Sequence, residues 1–256
     1  MKLKIKMLQT GESGSGKTYN ALSFPKCYYI VIGAGEEDTI LCNANLKKNL
    51  VDVAELRPLD SNECKRMYDI NNKRDALFCK AIDKARGLAK EGKVETLVID
   101  NITFLAEYVW VVIDTFYPRF SDKKPDVKAP LPMFGDLARR MYQIIAMEIS
   151  NFPGNVVVNV HMKVEDEKVL EKLPNRSNPI VADILGSIRN SVKGHFSLNV
   201  FLEKVEKAGQ YSYFARTNMG NKRAAKSRYP LPTIIQDLTY AKIMQAIQQS
   251  IEASVK

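Results

Sequence analysis

A glycine-rich stretch near the N-terminus contains the residue types that bind phosphate. Gly11, Gly16, Lys17 and Thr18 stand at the spacing G-x-x-x-x-G-K-[ST]. Glycines allow successive backbone N–H groups to point at phosphate oxygens, the lysine brings positive charge to the β- and γ-phosphates, and the hydroxyl can bind Mg²⁺. The residues expected to contact the nucleotide are Gly11, Glu12, Ser13, Gly14, Ser15, Gly16, Lys17, Thr18 and Tyr19. The pattern predicts a bound nucleotide, together with Mg²⁺.

A second candidate group is Asp100, which ends the apolar run Thr96–Asp100. In a nucleotide-binding chain that alternates strands and helices, a strand beside the first one carries such a carboxylate to the Mg²⁺ shell. We therefore expect Thr18 and Asp100 to be the metal ligands. The next residue is Asn101, an amide, so the group that activates water must come from another part of the chain.

Two acidic residues after another strand are candidates for that base. Cys27–Ile32 is a β-branched and aromatic run bounded by Pro25 and Gly33, and Glu36 and Glu37 follow it. Ligands of open α/β sheets bind at the carboxyl ends of strands, where a carboxylate can orient the attacking water. Glu36 is the leading candidate and Glu37 the alternative, while an exposed acidic turn would explain the pair equally well.

His161 is a further polar residue at a strand end, directly after the apolar run 155–160. A residue there can sense the γ-phosphate and report hydrolysis to the following segment, although local backbone contacts explain a histidine there as well. The expected catalytic set is therefore Lys17, Glu36, Asp100 and His161.

The elements that position these groups follow from hydrophobic periodicity and turn residues. The phosphate loop needs a strand before it and a helix after it, which residues 5–10 and 18–24 can form. Two late strands at residues 197–203 and 210–216 are expected to make a hairpin, and further helices are expected at residues 61–91, 104–116, 136–150 and 234–255. These elements predict an α/β fold with a mostly parallel central sheet flanked by helices, over residues 1–232. Residues 233–256 are expected to form an amphipathic helix that packs on the body or on a neighbouring subunit.

The composition indicates a polyanionic partner. The 256 residues carry a formal net charge of +9, which favours a phosphate backbone through counterion release, although solvated lysine faces are also common. Four cysteines without a C-x-x-C pair and only two histidines disfavour a zinc site. No apolar run approaches the roughly 18 residues of a membrane span, so we expect a cytoplasmic protein that does not bind membranes.

The most basic part of the sequence follows the expected hairpin. It contains Arg216, Lys222, Arg223, Lys226 and Arg228. A solvated loop is the default interpretation. In an oligomeric ATPase such a loop can also bring a cation to the γ-phosphate bound by the neighbouring subunit.

The order of these parts resembles the RecA-like ATPases, and more narrowly the bacteriophage AAA-type ATPases associated with single-strand annealing and recombination. Residues 11–18, 24–26, 99–105 and 157–161, together with Gly186, carry the resemblance. It implies a parallel sheet in which the phosphate-loop strand lies next to the Asp100 strand, and ATP hydrolysis stimulated by single-stranded DNA. It also implies a homo-oligomeric ring or filament, a single-strand-binding or annealing protein as a candidate partner and, for a phage protein, the host cytoplasm.

Two other functions use the same kind of loop. A nucleotide or small-molecule kinase would need an acceptor pocket and an arginine-bearing lid, which the basic run could provide. A nucleotide-gated DNA-binding protein would have little turnover, and its affinity for DNA would not depend on Glu36.

Overall fold

In a computed structural model of the chain, six parallel strands of the described residues form the centre of the fold. The structure describes residues 3–33, 40, 44–56, 77–116, 131–164, 180–184, 192–218 and 225–254. The strands are β1 (Lys6–Gly11), β2 (Cys27–Ile32), β3 (Leu50–Leu56), β4 (Thr96–Asp100), β5 (Asn155–Val164), β6 (Ile180–Ala182), β7 (Leu198–Lys207), β8 (Gln210–Arg216), β9 (Lys226–Ser227) and β10 (Ile234–Gln236). Their order across the sheet is β10-β8-β7-β1-β5-β4-β2-β3, and the six strands from β7 to β3 run parallel. β8 returns antiparallel to β7, β10 pairs with β8, β6 pairs with the end of β5, and β9 pairs with the start of β7.

Helices cover both faces of the sheet. They are α1 (Lys17–Ala21), α2 (Ala44–Lys47), α3 (Leu77–Lys90), α4 (Ile102–Phe116), α5 (Leu131–Gln143) and α6 (Tyr240–Ser254), with a π-helical turn at Ile144–Ile149 and a 3-10 turn at Val192–His195. Alternate residues of β2 enter separate cores: Tyr28 and Ile30 pack with α3, α4 and α5, whereas Tyr29 and Val31 pack with α1 and α6. The near-continuous apolar sequence of β2 follows from this burial on both faces. Among the helices described, none is long and apolar enough to cross a membrane.

The α/β fold with a mostly parallel central sheet is confirmed, but the strand order corrects one detail. β1 pairs with β5 and β7, and it is β5 that pairs with β4, the strand ending at Asp100. The Asp100 strand is therefore not next to the phosphate-loop strand. The two sites still meet, because α1 follows the loop, contacts β5 and carries Thr18 to Asp100.

Most of the expected elements are present, with different ends. β2 and β4 have the predicted bounds, and β7 and β8 form the predicted hairpin, but β5 and β7 continue past the expected residues 160 and 203. α5 begins at Leu131, before the expected residue 136, and the helix expected from residue 61 lies in the described part only from Leu77. β3 is absent from the sequence expectations because this edge strand is partly exposed along its length and lacks the apolar run of a central strand.

The single helix expected over residues 234–255 is wrong at its start. Ile234–Gln236 forms β10, which pairs with β8, and α6 begins only at Tyr240. Between them, Asp237 has a φ of 47°, a left-handed conformation that a right-handed helix does not contain. Apolar residues spaced for a helix continue back into the strand, which is why the sequence predicts one element instead of two.

Candidate functional site

The phosphate loop joins β1 to α1. Several of its positions require glycine, for conformational or steric reasons. Gly14 and Gly16 have φ values of 72° and 89°, in the region that glycine adopts without strain. A Cβ at Gly11 would lie 2.6 Å from the carbonyl oxygen of Leu202 on β7. A larger residue at Gly11 would therefore push the loop away from the neighbouring strand.

The Lys17 side chain folds back over this loop. It is 7% exposed, and its Nζ donates hydrogen bonds to the carbonyl oxygens of Gly11 at 2.9 Å and Glu12 at 2.7 Å. The Ser15 hydroxyl is buried, and the part of the chain that the structure describes offers it no hydrogen-bond partner. The Lys17 ammonium group and the Ser15 hydroxyl are suited to bind the oxygens of a phosphate group. Phosphate oxygens are charged, so they form stronger hydrogen bonds to an ammonium group than neutral carbonyl oxygens do.

A buried amide network holds the loop between its flanking elements. Gln9 on β1 donates through Nε2 to Asn159 Oδ1 on β5 at 2.8 Å and to the Lys17 carbonyl oxygen at 3.3 Å. Asn20 on α1 donates to Gln9 Oε1 at 2.5 Å. All three amide side chains are buried, where an unpaired polar group is costly. The network therefore fixes α1, and with it Lys17, relative to the ends of β1 and β5.

Thr18 and Asp100, the expected metal ligands, are in contact. Thr18 Oγ1 donates a hydrogen bond to Asp100 Oδ2 at 3.0 Å, and the hydroxyl of Tyr29 on β2 donates to the same oxygen. Both Tyr29 and Asp100 are buried, so the carboxylate is held in one orientation. Mg²⁺ is usually bound through one or two protein oxygens and completes its shell with water and phosphate oxygens. The threonine hydroxyl and the aspartate carboxylate fit such a Mg²⁺–nucleotide complex.

His161 lies at the carboxyl edge of the sheet, opposite the last residue of β1 in the parallel register. Its Nε2 is 3.2 Å from Asn101 Nδ2, a contact in which the amide donates to a neutral imidazole. Burial, and then the positive charge of Lys17, lower the pKa of His161, while Asp100 and Asp183 act in the opposite direction. The imidazole is therefore neutral at pH 7 and can accept the hydrogen bond from Asn101.

Asn101 connects this imidazole to the start of α4. Its Oδ1 accepts a hydrogen bond from the backbone N–H of Phe104 at 3.0 Å, as a helix N-cap residue does. Thr103 Oγ1 accepts from the backbone N–H of His161 at 3.1 Å, and the Phe104 ring meets the imidazole edge-on with 5.4 Å between ring centres. The turn between β4 and α4 therefore positions Asp100 and His161 together. The sequence analysis noted that Asn101 is not an acid and lies within residues 99–105, but it gave this residue no structural role.

The other predicted residues are either not described by the structure or lie away from this cluster. Glu36, Glu37, Gly186, Lys222 and Arg223 fall outside the described residues. Arg216 is paired with Glu203, with Nε 2.6 Å from Oε2. Lys226 and Arg228 are exposed on and after β9, which pairs with the start of β7, whereas the phosphate loop lies beside a later part of that strand.

A cleft of about 440 Å³ opens beside the phosphate loop. The loop and α1 line one side with Ser15, Gly16, Tyr19 and Asn20, and the opposite side is formed by Leu202, Tyr213, Phe214, Asp237 and Leu238. A Cβ at Gly16 would lie 3.4 Å from Cδ1 of Tyr213, so the hairpin packs against the loop. The sequence analysis did not identify the side of the cleft that Leu202 to Leu238 form. No local sequence pattern distinguishes these residues, and only the fold brings them next to the loop.

Comparisons with known proteins give a family match and structural likeness. A protein-family model described as an AAA domain matches residues 3–229. No curated protein matches the sequence. Among solved structures, the chain is similar to a prototypical ATPase from the type III secretion system of pathogenic bacteria, with 15% sequence identity and a TM-score of 0.46. That match covers 78% of this chain and 51% of the other, so the chain spans about half the length of that protein.

Proposed function

Because the chain belongs to the AAA domain family, we propose that it is an ATPase that acts on single-stranded DNA in bacteriophage-type recombination or replication. Family membership and the phosphate loop support nucleotide binding and hydrolysis. The observation that carries the catalytic part is the hydrogen bond between Thr18 and Asp100. It joins the helix that follows the phosphate loop to the end of β4, across the intervening β5, and so supports a phosphate site and a cation site next to each other.

The present contacts of these residues prepare them for their proposed roles. Lys17 would exchange two loop carbonyl oxygens for phosphate oxygens, and Thr18 and Asp100 would hold Mg²⁺. When bound, the ion supplies positive charge that offsets the charge on the transferred phosphoryl group. Since the amide network holds the backbone of Lys17 and the Tyr29 hydroxyl holds the Asp100 carboxylate beforehand, little reorganisation is needed during reaction, which is the main source of rate enhancement in such sites.

His161 is the proposed sensor of the γ-phosphate. With Nε2 accepting from Asn101, the neutral imidazole carries its proton on Nδ1. Asn101 also caps α4, so a change of charge near the imidazole alters a hydrogen bond at the start of that helix. His161 is followed in β5 by residues 162–164. A change at the imidazole can therefore also be transmitted to the end of this strand.

The proposed general base is Glu36, with Glu37 as the alternative. Val31 of β2 is paired with Asp100 in the parallel register, so the chain leaves β2 at the same edge of the sheet as the metal ligand. Glu36 follows the last residue of β2 by four positions, within reach of that edge at about 3.5 Å per extended residue.

The polymer on which the proposed ATPase acts is a polynucleotide, because the net charge of +9 favours binding to a phosphate backbone. We further propose a homo-oligomeric ring or filament, in which the basic run supplies cations to a neighbour's γ-phosphate. That run contains Arg216, Lys222, Arg223, Lys226 and Arg228. A single-strand-binding or annealing protein is the proposed partner.

The test is ATP hydrolysis with and without single-stranded DNA, for the wild type, Lys17→Ala and Lys93→Ala. Lys93 is exposed and paired with Glu91, so its variant controls for loss of one positive charge. We expect DNA to raise the wild-type rate several-fold, and Lys17→Ala to lower the rate by at least about 100-fold, as expected when a preorganised charge is removed. The control variant should behave like the wild type.

Two results would redirect the proposal. A Lys17-dependent rate that DNA does not change, with phosphate transfer to a nucleoside or nucleotide, would indicate a kinase. DNA binding with negligible hydrolysis, unchanged by Glu36→Gln, would indicate a nucleotide-gated DNA-binding protein.

A further inference from the structure

We propose that Asp183 is a positioning residue of the candidate site: its carboxylate accepts the Nδ1 proton of the His161 imidazole and so fixes the orientation of that ring. The part that this contact plays in hydrolysis rests on the proposed ATPase function, whereas the contact itself involves only residues of this chain. It adds the residue that follows β6 to a site otherwise built by the phosphate loop, α1, β2 and the turn between β4 and α4.

The hydrogen bonds of Asn101 determine which imidazole nitrogen of His161 carries the proton. Asn101 Oδ1 accepts from the backbone N–H of Phe104 at 3.0 Å, so the amide nitrogen Nδ2 is the atom that faces His161 Nε2, at 3.2 Å. An amide nitrogen only donates, and a neutral imidazole has one donor and one acceptor nitrogen. Nε2 is therefore the acceptor. Nδ1 carries the proton, and in a half-buried ring an unpaired N–H is costly.

The pairing of β5 with β6 places Asp183 opposite His161. The antiparallel register joins Met162 to Ala182, and one step further the backbone N–H of Asp183 donates to the His161 carbonyl oxygen at 2.8 Å. Side chains of directly opposite residues project from the same face of the sheet, with about 5 Å between their Cβ atoms. The carboxylate and the imidazole therefore stand side by side on one face.

The charges around the imidazole agree with this placement. Burial, and then the charge of Lys17, lower the pKa of His161. Asp100 and Asp183 act in the opposite direction, so both carboxylates lie near the ring. Asp100 already accepts two hydroxyl hydrogen bonds on its Oδ2. A carboxylate only accepts hydrogen bonds, and Asp183 is thus suited to take the Nδ1 proton.

With this contact the imidazole is held on both sides. Nε2 is tied to Asn101, which caps α4, and Nδ1 is tied to Asp183 at the end of β6. The backbone at this point is also fixed, because the N–H of His161 donates to Thr103 Oγ1 at 3.1 Å. A ring with both nitrogens engaged keeps one tautomer and one orientation. It then presents the same edge to a bound nucleotide in every turnover, which is the preorganisation that efficient sites need.

The experiment measures the tautomer of His161 by heteronuclear NMR on the full chain with isotope-labelled histidine. It is done without nucleotide at about pH 8, where an imidazole of ordinary pKa is neutral. The sequence has two histidines, so His195 is an internal reference and His161→Gln assigns the signals. The wild type is compared with Asp183→Leu, Asp183→Asn and Asp83→Leu. Asp83 lies exposed on α3 and is the matched control. Circular dichroism checks that each variant is folded.

We expect the wild type to carry the His161 proton mainly on Nδ1. In Asp183→Leu the ratio of the Nδ1–H form to the Nε2–H form should fall by about tenfold, the effect of one hydrogen bond to a charged group. The Nδ1 proton should also exchange with water at least about tenfold faster. Asp183→Asn should keep most of the Nδ1–H form, because its amide oxygen still accepts, with faster exchange because a neutral acceptor bonds more weakly. Asp83→Leu and the His195 signals should not change.

Steady-state ATP hydrolysis connects the contact to the reaction. We expect Asp183→Leu to lower kcat by about tenfold, since small misplacements of a reacting group are costly. The KM for ATP should change little, because the phosphate loop and Lys17 keep their contacts. Asp183→Asn should recover most of the rate, which a merely structural effect of the lost charge would not allow.

An unchanged tautomer ratio and exchange rate in Asp183→Leu would assign the proton to another acceptor and overturn the inference, as would an equal shift in Asp83→Leu. If Asp183→Leu does not fold, an unchanged exchange rate in Asp183→Asn overturns it instead. These results leave the ATPase proposal intact as long as hydrolysis depends on Lys17. A shifted tautomer with unaltered hydrolysis would refute the part of Asp183 in the reaction. The same shift in a chain whose wild type hydrolyses no ATP would refute the proposed function and keep the contact.

Discussion

Asp100 accepts two hydroxyl hydrogen bonds on one carboxylate oxygen, from Thr18 and Tyr29. We expect Tyr29→Phe to keep the buried ring but to remove one donor from a buried charge. The free energy of unfolding should fall by about 1.5–3 kcal/mol, typical of a hydrogen bond to a charged group, as measured by urea denaturation. The Mg²⁺ concentration for half-maximal hydrolysis should also rise, because the carboxylate loses its fixed orientation.

Tyr28→Phe is the matched control for this change. Tyr28 is the preceding residue on β2, is equally buried, and faces the opposite core. Its variant should leave the Mg²⁺ dependence of hydrolysis unchanged. If both variants shift that dependence alike, the Tyr29 hydroxyl has no special role in positioning Asp100.

The residues of the candidate site differ in how well they can be predicted from the sequence. Lys17 and Thr18 can be recognised because one short stretch fixes their spacing and their roles together. Tyr29 cannot, since its contact with Asp100 joins residues 71 positions apart and depends on β2 and β4 being neighbours. Asp237 is even harder to identify as a residue of the cleft. It follows β10, a strand whose hydrophobic periodicity predicts a helix.

At the scale of elements, α6 is attached to α1, the helix that follows the phosphate loop. Ile243 is 0% exposed and packs in the same core as α1, and the backbone N–H of Tyr240 donates to Ser23 Oγ at 2.8 Å. We expect Ile243→Ala to lower the free energy of unfolding by about 2–5 kcal/mol, the cost of truncating a large buried side chain. Ile251→Ala, on the same helix at 58% exposure, should change it by less than about 0.5 kcal/mol.

Urea denaturation of both variants tests this attachment. Equal stabilities would mean that α6 does not pack on the body through Ile243. The helix itself can be predicted from its apolar spacing, because a helix is determined by residues close in sequence. The order of the strands cannot, since β1 and β5 pair residues about 150 positions apart, such as Lys6 and Val156.

At the scale of the whole molecule, the net charge of +9 predicts that the proposed binding of DNA weakens as salt is added. If four phosphates are contacted, the affinity for a single-stranded oligonucleotide should fall by roughly fiftyfold between about 50 and about 200 mM salt. Fluorescence anisotropy with a labelled oligonucleotide measures this. An affinity that does not change with salt would argue against contacts to the phosphate backbone, and a matched titration with ATP separates this effect from salt acting on the nucleotide site.

The cleft joins two stretches of chain that are far apart in sequence, one before residue 21 and the other running from residue 202 to residue 238. Changes in the later stretch can therefore accumulate without touching Lys17, Thr18 or Asp100. The same separation suggests a practical design rule: one side of the cleft can be altered by replacing residues 202–238 while the phosphate loop is kept.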